Sequence, residues 1–436
     1  MKFKSENHLL EFTKDIVGKT FGELDKLGLL FKSSNDKGVL GKIVETGFYG
    51  YQLNNNAEAD FSSLGIELKV TGFKVNKNKT LSAKERLSLS MINYYDIINE
   101  TFEFSKLLFK NKKLLIIWYQ YEENKSYADF TIKYYQIYNM TEDEKVFKND
   151  FLLIKNKVLS GQAHLLSEGD TSYLGACTKG SKGQKSKQPY SGIPASSRAY
   201  CLKNSYMTGI LRNFLTSSNY TPVDFSTVDE YILNKLTPYI GLTQLEIYNQ
   251  VSNSSITKIP KQLGKMISDR TIGQDNELQT KHDLFCKTTY IIKNIPVDEY
   301  NYPLERLSFR NLILSEFDRE WDESDWKNYF QEVTIILICY EGKGKKNGYR
   351  VLKGIKKLTF SSDDIDLFEK SYSMVREAIK NNDISELPYP KKFTKPTLVI
   401  APKGNAGDDA YNNFFKSDTT RTCFMLDKDF IYNKIK

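Results

Sequence analysis

Ala57-Glu58-Ala59-Asp60-Phe61-Ser62-Ser63-Leu64-Gly65-Ile66-Glu67-Leu68-Lys69-Val70-Thr71 is the stretch on which the chain turns. In its second half Ile66, Leu68 and Val70 are apolar while Glu67, Lys69 and Thr71 are polar. That period of two predicts a strand with one buried face. Its polar face then carries a carboxylate and an ammonium pointing the same way. Asp60 stands just upstream, before a Ser-Ser-Leu-Gly turn that folds it back toward the strand. Two carboxylates beside a lysine can hold a divalent metal against a phosphodiester. The same pattern also describes a plain amphipathic strand with a solvated, salt-bridged face, so the rest of the chain has to decide.

The remainder excludes several classes. With 436 residues the chain suits about two domains. A hydrophobic content of 40% and a charged content of 27% are those of a soluble globular protein, and aromatics at 13% fill cores well. The net charge of +8 and pI near 8.8 allow a polyanionic partner without demanding one. The opening residues lack the apolar segment of a signal peptide, and the longest apolar runs, Leu114–Tyr119 and Ile335–Cys339, are of strand length. No membrane is therefore expected. Cys177, Cys201, Cys286, Cys339 and Cys423 show no paired or metal-type spacing, which fits a reducing cytoplasm. Three histidines make histidine bases and zinc improbable.

Working outward, Ser5 and Thr20 are placed to cap helices within residues 5–30. Residues 39–45 read as a helix with Leu40, Ile43 and Val44 on its apolar side, Glu45 in its last turn and Gly47 placed to end it. Residues 74–84 read as a lysine-rich hairpin, Leu87, Leu89 and Met91 as a second alternating strand, and 106–113 as a basic loop. Leu114–Tyr119 reads as a buried strand, 127–138 as its continuation in the sheet and 145–159 as a helix. The stretch 178–190 sets lysines among glycines and serines, a cationic loop suited to neutralising phosphates. A strand and helix over 200–215 carry Lys203, Tyr206 and Arg212. Polar, turn-rich residues then mark a linker at 219–232 between domains at 1–218 and 233–436.

The two halves rhyme. Leu40-Gly41 through Glu45 is echoed by Leu263-Gly264 through Ser268, Ile66–Thr71 by Leu284–Thr289, Lys113–Tyr119 by Thr334–Tyr340, and Thr178-Lys179-Gly180 by Pro402-Lys403-Gly404. In that register Glu45 becomes Ser268, Glu67 becomes Phe285, Lys69 becomes Lys287 and Lys110 becomes Gln331. The second half would then bind DNA without chemistry.

The first half resembles the MutH-type endonucleases. Lys37-Gly38, Leu40-Gly41, Glu45, Asp60, Leu64–Lys69, Lys110, Ser172–Leu174 and Thr178–Gly180 carry the resemblance, and the Asp60–Lys69 block is its most specific part. The full length looks closest to the two-domain type IIE restriction enzymes for GATC, whose second MutH-like domain is an allosteric DNA-binding effector. The resemblance implies a mixed α/β fold of two tandem PD-(D/E)xK-type domains, each a mixed sheet flanked by helices, with Mg2+ at the site. It implies Asp60, Glu67 and Glu45 as metal ligands with the Leu68 carbonyl nearby, Lys69 orienting or activating the attacking water, and Lys110 on the scissile phosphate. The implied DNA-contacting residues are Lys37, Lys179, Gly180, Lys182, Lys203 and Tyr206, and in the second half Lys403, Gly404 and Lys428. The implied partner is double-stranded DNA with two GATC sites, substrate and effector, and a DNA-induced dimer is compatible with that. Cleavage would fall before the G and leave 5′-phosphate ends. A mismatch-repair nickase and a non-cleaving GATC-binding regulator are the alternatives; the extra half argues against the first and the intact acids against the second. Ala59 replaces the family's usual proline, and Cys177-Thr178-Lys179 replaces the nickase's Arg-Pro-Lys, so only the lysine carries over.

Overall fold

The structure is a computed structural model that describes residues 3–32, 38–52, 58–76, 79–180, 184–216, 227–252, 256, 258–274, 277–278, 282–402, 414 and 422–436. The alternating stretch opens strand β1 (Ile66–Val75). β1 turns back through β2 (Leu81–Ala83) with Val75 opposite Leu81, so the lysine-rich segment is a hairpin. After β3 (Leu87–Met91) come β4 (Lys113–Gln120) and β5 (Thr131–Asn139). β4 pairs in parallel with β1 and antiparallel with β5, giving the order β2-β1-β4-β5. Leu114 to Tyr119 are all buried, which explains why this run is apolar at every position rather than alternating. β6 (Leu174–Thr178), β7 (Lys185–Gln188), β8 (Ser191–Ser196) and β9 (Arg198–Leu202) follow. β9 lies between β3 and β6 in a second sheet, while β7 and β8 pair with each other.

The helices are capped as their sequences require. Ser5 accepts the amide of His8 ahead of Glu6–Thr13, and Thr20 and Glu23 form a reciprocal capping box on Phe21–Leu24. The helix Val39–Ile43 does not stop at Gly47; it widens into a π-helical turn over Val44–Phe48. Gly47 is required there for space, because a Cβ would sit 1.9 Å from the Leu24 carbonyl oxygen. Three further expectations change. Residues 106–113 are not a loop: Ser105 caps a helix over Lys106–Asn111 that buries Leu107 and Leu108. Part of the cationic 178–190 stretch is β7. The expected linker overlaps a helix at Val228–Leu236, capped by Thr227.

The chain divides into two compact units, Met1–Leu166 with Asp170–Tyr220 and Cys286–Thr288, and Ser167–Gly169 with Thr221–Phe285 and Thr289–Lys436. The second contains β10 (Tyr290–Val297), β11 (Leu307–Asn311), β12 (Thr334–Glu341), β13 (Val351–Leu358), β14 (Leu398–Pro402) and β15 (Thr422–Leu426). β12 pairs in parallel with β10 and antiparallel with β13, as β4 does with β1 and β5. β15 lies between β11 and β14, as β9 lies between β3 and β6. Even the irregularities repeat: the ladder slips at Trp118/Tyr119 in one unit and at Cys339/Tyr340 in the other. Each unit is therefore a mixed sheet with helices packed on it. Ile43, Val44, Leu68, Leu115 and Ile117 share one apolar core, and Trp326, Phe330, Ile335, Leu337 and Phe368 share the other. Among the described residues no helix is long and apolar enough to cross a membrane.

Candidate functional site

The site is built at the start of β1. Phe61 donates its amide to the Ile66 carbonyl at 2.9 Å across the Ser62–Leu64 turn, and Gly65 completes that turn in the left-handed region at φ +63°. The reversal brings Asp60 onto the strand, where its Oδ2 accepts the Leu68 amide at 2.9 Å. The Asp60 amide in turn donates to Glu67 Oε2 at 3.3 Å. Glu67 is only 4% exposed. Its Oε1 accepts the Lys69 ammonium at 2.8 Å and lies 3.7 Å from the Lys110 ammonium. Lys110 reaches it from the last turn of the Ser105-capped helix. Glu45 stands in the π-helical turn, anchored by Ile43 and Val44 in the core and by its carbonyl, which accepts the Tyr51 amide at 3.0 Å.

These carboxylates feel one another. Burial, followed by the charges of Asp60 and Glu67, pushes Glu45 up to about 7, against the pull of Lys110. Burial and the Glu67 charge likewise raise Asp60, while the Leu68 amide, Lys69 and Lys110 work the other way. The five residues Glu45, Asp60, Glu67, Lys69 and Lys110 thus form one electrostatic unit at the head of the strand. Among the described residues no three carboxylates close into a ready-made metal cluster. The donor chemistry nevertheless suits a hard divalent cation, since all the acids offer oxygen and a cation would offset the burial and the mutual repulsion that raise Asp60 and Glu45.

The expected DNA-contacting residues divide. Lys179 follows β6, is half-buried and donates its amide to the Ser197 carbonyl at 2.8 Å. Gly180 adopts φ +86°, and a Cβ there would lie 2.1 Å from the Gln184 Oε1. Lys428 opens the helix Lys428–Ile435, with its ammonium 5.7 Å from the centre of the Tyr302 ring. Lys37, Lys182, Lys403 and Gly404 lie outside the described residues. Lys203 and Tyr206 require correction. Both are buried, at 1% and 0% exposure. The Lys203 ammonium bonds the Thr171 carbonyl, and the Tyr206 hydroxyl bonds Asp143 and Tyr138. They brace the domain from within and have no open face for a base.

The register of the second half also requires correction. β1 sets Ile66 against Lys113, whereas β10 sets Tyr290 against Thr334. The counterpart of Glu67 is therefore Ile291 rather than Phe285, and that of Lys69 is Lys293 rather than Lys287. Lys287 groups with the first unit, where its ammonium pairs with Asp143 at 3.0 Å. Ile291 packs against the apolar core of the second unit.

Asp150 is a residue that the reading from sequence missed. It is fully buried and accepts the amides of Ser172 (2.9 Å), Tyr173 (2.7 Å) and Leu174 (2.9 Å), fixing the path into β6 and on toward Lys179. Burial raises its carboxyl, and those three amides and Lys203 oppose the rise. Its signal was present: it sits among Phe147, Phe151 and Ile154 on the buried stripe of the helix Glu144–Leu159. Arg198 was missed too; it is buried and donates to the Ala176 carbonyl at 2.6 Å.

A strand head bearing an acid pair and a lysine, on a mixed sheet with helices, matches the PD-(D/E)xK-type arrangement that the resemblance implies. Residues 49–150 match the family model of the DNA mismatch repair enzyme MutH. The chain is 30% identical over 377 residues to the type II restriction enzyme Sau3AI of Staphylococcus aureus, covering 81% of this chain and 75% of that protein. It is also 45% identical over 67 residues to the DNA mismatch repair protein MutH of Histophilus somni strain 2336, which covers 15% of this chain and 30% of that protein. The same figures hold for MutH of Histophilus somni strain 129Pt. The chain belongs to the MutH-like family of type II restriction endonucleases. It is a site-specific deoxyribonuclease.

Proposed function

We propose that this chain is a type IIE restriction endonuclease that cuts both strands of DNA at 5′-GATC-3′, before the G, leaving 5′-phosphate ends. It serves a restriction–modification system in the cytoplasm, where its free cysteines stay reduced. The first unit cuts, and the second binds another GATC site as effector. The observation that carries this reading is the strand head, where Asp60 and Glu67 converge with Lys69 and Lys110 in one unit, while the matching strand of the other presents Ile291. A repair nickase accounts for half of such a chain.

Asp60, Glu67 and Glu45, with the Leu68 carbonyl, would hold Mg2+. The ion supplies Lewis-acid polarisation of the phosphate and a more acidic water. Lys69, held by Glu67 at 2.8 Å, orients the attacking water on the strand's polar face. Lys110, farther from Glu67 at 3.7 Å, is placed to neutralise the scissile phosphate. Lys179 and Gly180 follow β6 and bring a lysine and backbone amides to the bases, groups that read a major groove. The second unit contributes Lys428 and the Lys403-Gly404 segment to effector DNA.

A digest of unmethylated plasmid with Mg2+, its ends mapped by sequencing, tests this. The expected ends all begin with GATC. Ends scattered over other sequences would refute the specificity, and nicks without double-strand breaks would favour the nickase.

A further inference from the structure

The second unit contains a cavity of about 450 Å³ that the effector role does not explain. The helix Leu263–Thr271, the Ile292–Pro296 part of β10, Tyr340 and Arg350 line it. It lies along the helix and the strand that match two elements of the first unit's site. Ser268, the counterpart of Glu45, and Lys293, the counterpart of Lys69, both face it.

The cavity offers mostly donors. Lys261, Lys265, Lys293 and Arg350 line it against two acids, Asp269 and Glu305. Asp269 is engaged by Lys265 at 3.0 Å. Asn294 accepts the Ser268 hydroxyl through Oδ1 at 3.1 Å, so its other end is an NH2 donor. Two donors lack partners among the described residues. The Tyr340 hydroxyl belongs to a side chain only 1% exposed, and the Arg350 Nε is likewise buried. Buried polar atoms are nearly always bonded, so an exception inside a cavity points to a missing acceptor.

We propose that this cavity is a metal-independent phosphate site, taking the phosphate of a nucleotide or of a DNA strand. In the first unit a phosphate approaches carboxylates and needs a cation between. In the second, Ser268 stands where the first has Glu45, and the ammonium, guanidinium, amide and phenol donors along the cavity can meet the phosphate oxygens directly. The cavity lies within the size range of small-ligand sites and accommodates a nucleoside monophosphate as well as a bare phosphate. The proposal stands independently of the effector reading.

The test uses the full-length protein in EDTA. Inorganic phosphate is titrated by calorimetry and a GATC duplex by fluorescence anisotropy, on wild type, Tyr340→Phe and Arg350→Gln. Tyr340→Phe removes a single oxygen and keeps the ring that packs. Phosphate should bind wild type and lose at least about tenfold in affinity in each variant, the scale of a hydrogen bond to a charged group. If duplex affinity falls in the same variants, DNA supplies the phosphate; if it holds, the ligand is a free phosphate ester. No phosphate binding in EDTA, or equal binding by all three proteins, overturns the site.

Discussion

The two units repeat one strand arrangement and differ at the positions where the first gathers its acids. Each has a central strand paired in parallel on one side and antiparallel on the other, with the slip at the corresponding rung, Trp118/Tyr119 and Cys339/Tyr340. At the strand head one unit places Glu67 beside Lys69, the other Ile291 beside Lys293. On the adjoining helix one has Glu45 and the other Ser268, which bonds Asn294. The core face absorbs Ile291 without disturbing the ladder, because a strand accepts any side chain whose surroundings suit it. On the reading proposed, chemistry in this architecture would be carried by a handful of residues and be lost in one unit while the fold persists.

That contrast can be attacked directly. Asp60→Asn in the first unit removes a ligand charge and should lower the cleavage rate about a thousandfold, since several kcal/mol of charge stabilisation go with the metal and each 1.4 kcal/mol is tenfold. A rate within tenfold of wild type would show that the acid pair is not the centre. Lys69→Ala should cost on the order of a hundredfold in rate, with GATC affinity unchanged; a loss confined to affinity would make Lys69 a phosphate clamp. Lys179→Ala should weaken DNA binding several-fold and reduce the slope of log affinity against log salt by about one. An unchanged slope would remove it from the interface. Ile291→Glu, placed in a Glu67→Ala background, should restore no cleavage, because Ser268 still stands in for Glu45. Recovered cutting would mean that the second unit keeps more of the machinery than its residues display.

What was legible from sequence was local. The alternation of Ile66–Thr71 and the Ser62–Gly65 turn specify the backbone that delivers Asp60 to the Leu68 amide, and they lie within one short segment. The register of the second half was not legible. Phe285-Cys286-Lys287 mimics the spacing of Glu67-Leu68-Lys69, and only the ladder partner Thr334, far along the chain, assigns the role to Ile291 and Lys293. Lys203 and Tyr206 look like contact residues until their partners Thr171 and Asp143, also distant in sequence, draw them inside. The charges of Lys106–Lys113 hid a helix whose cap, Ser105, and buried pair, Leu107 and Leu108, were nonetheless present.

On this reading cutting belongs to the first unit and rests on Glu67. Glu67→Ala and wild type should be compared on one unmethylated GATC plasmid with Mg2+, following nicked and linear products, with duplex binding measured in parallel. The account predicts neither nick nor break from Glu67→Ala, with GATC binding retained. Cleavage by that variant at the wild-type rate would contradict it.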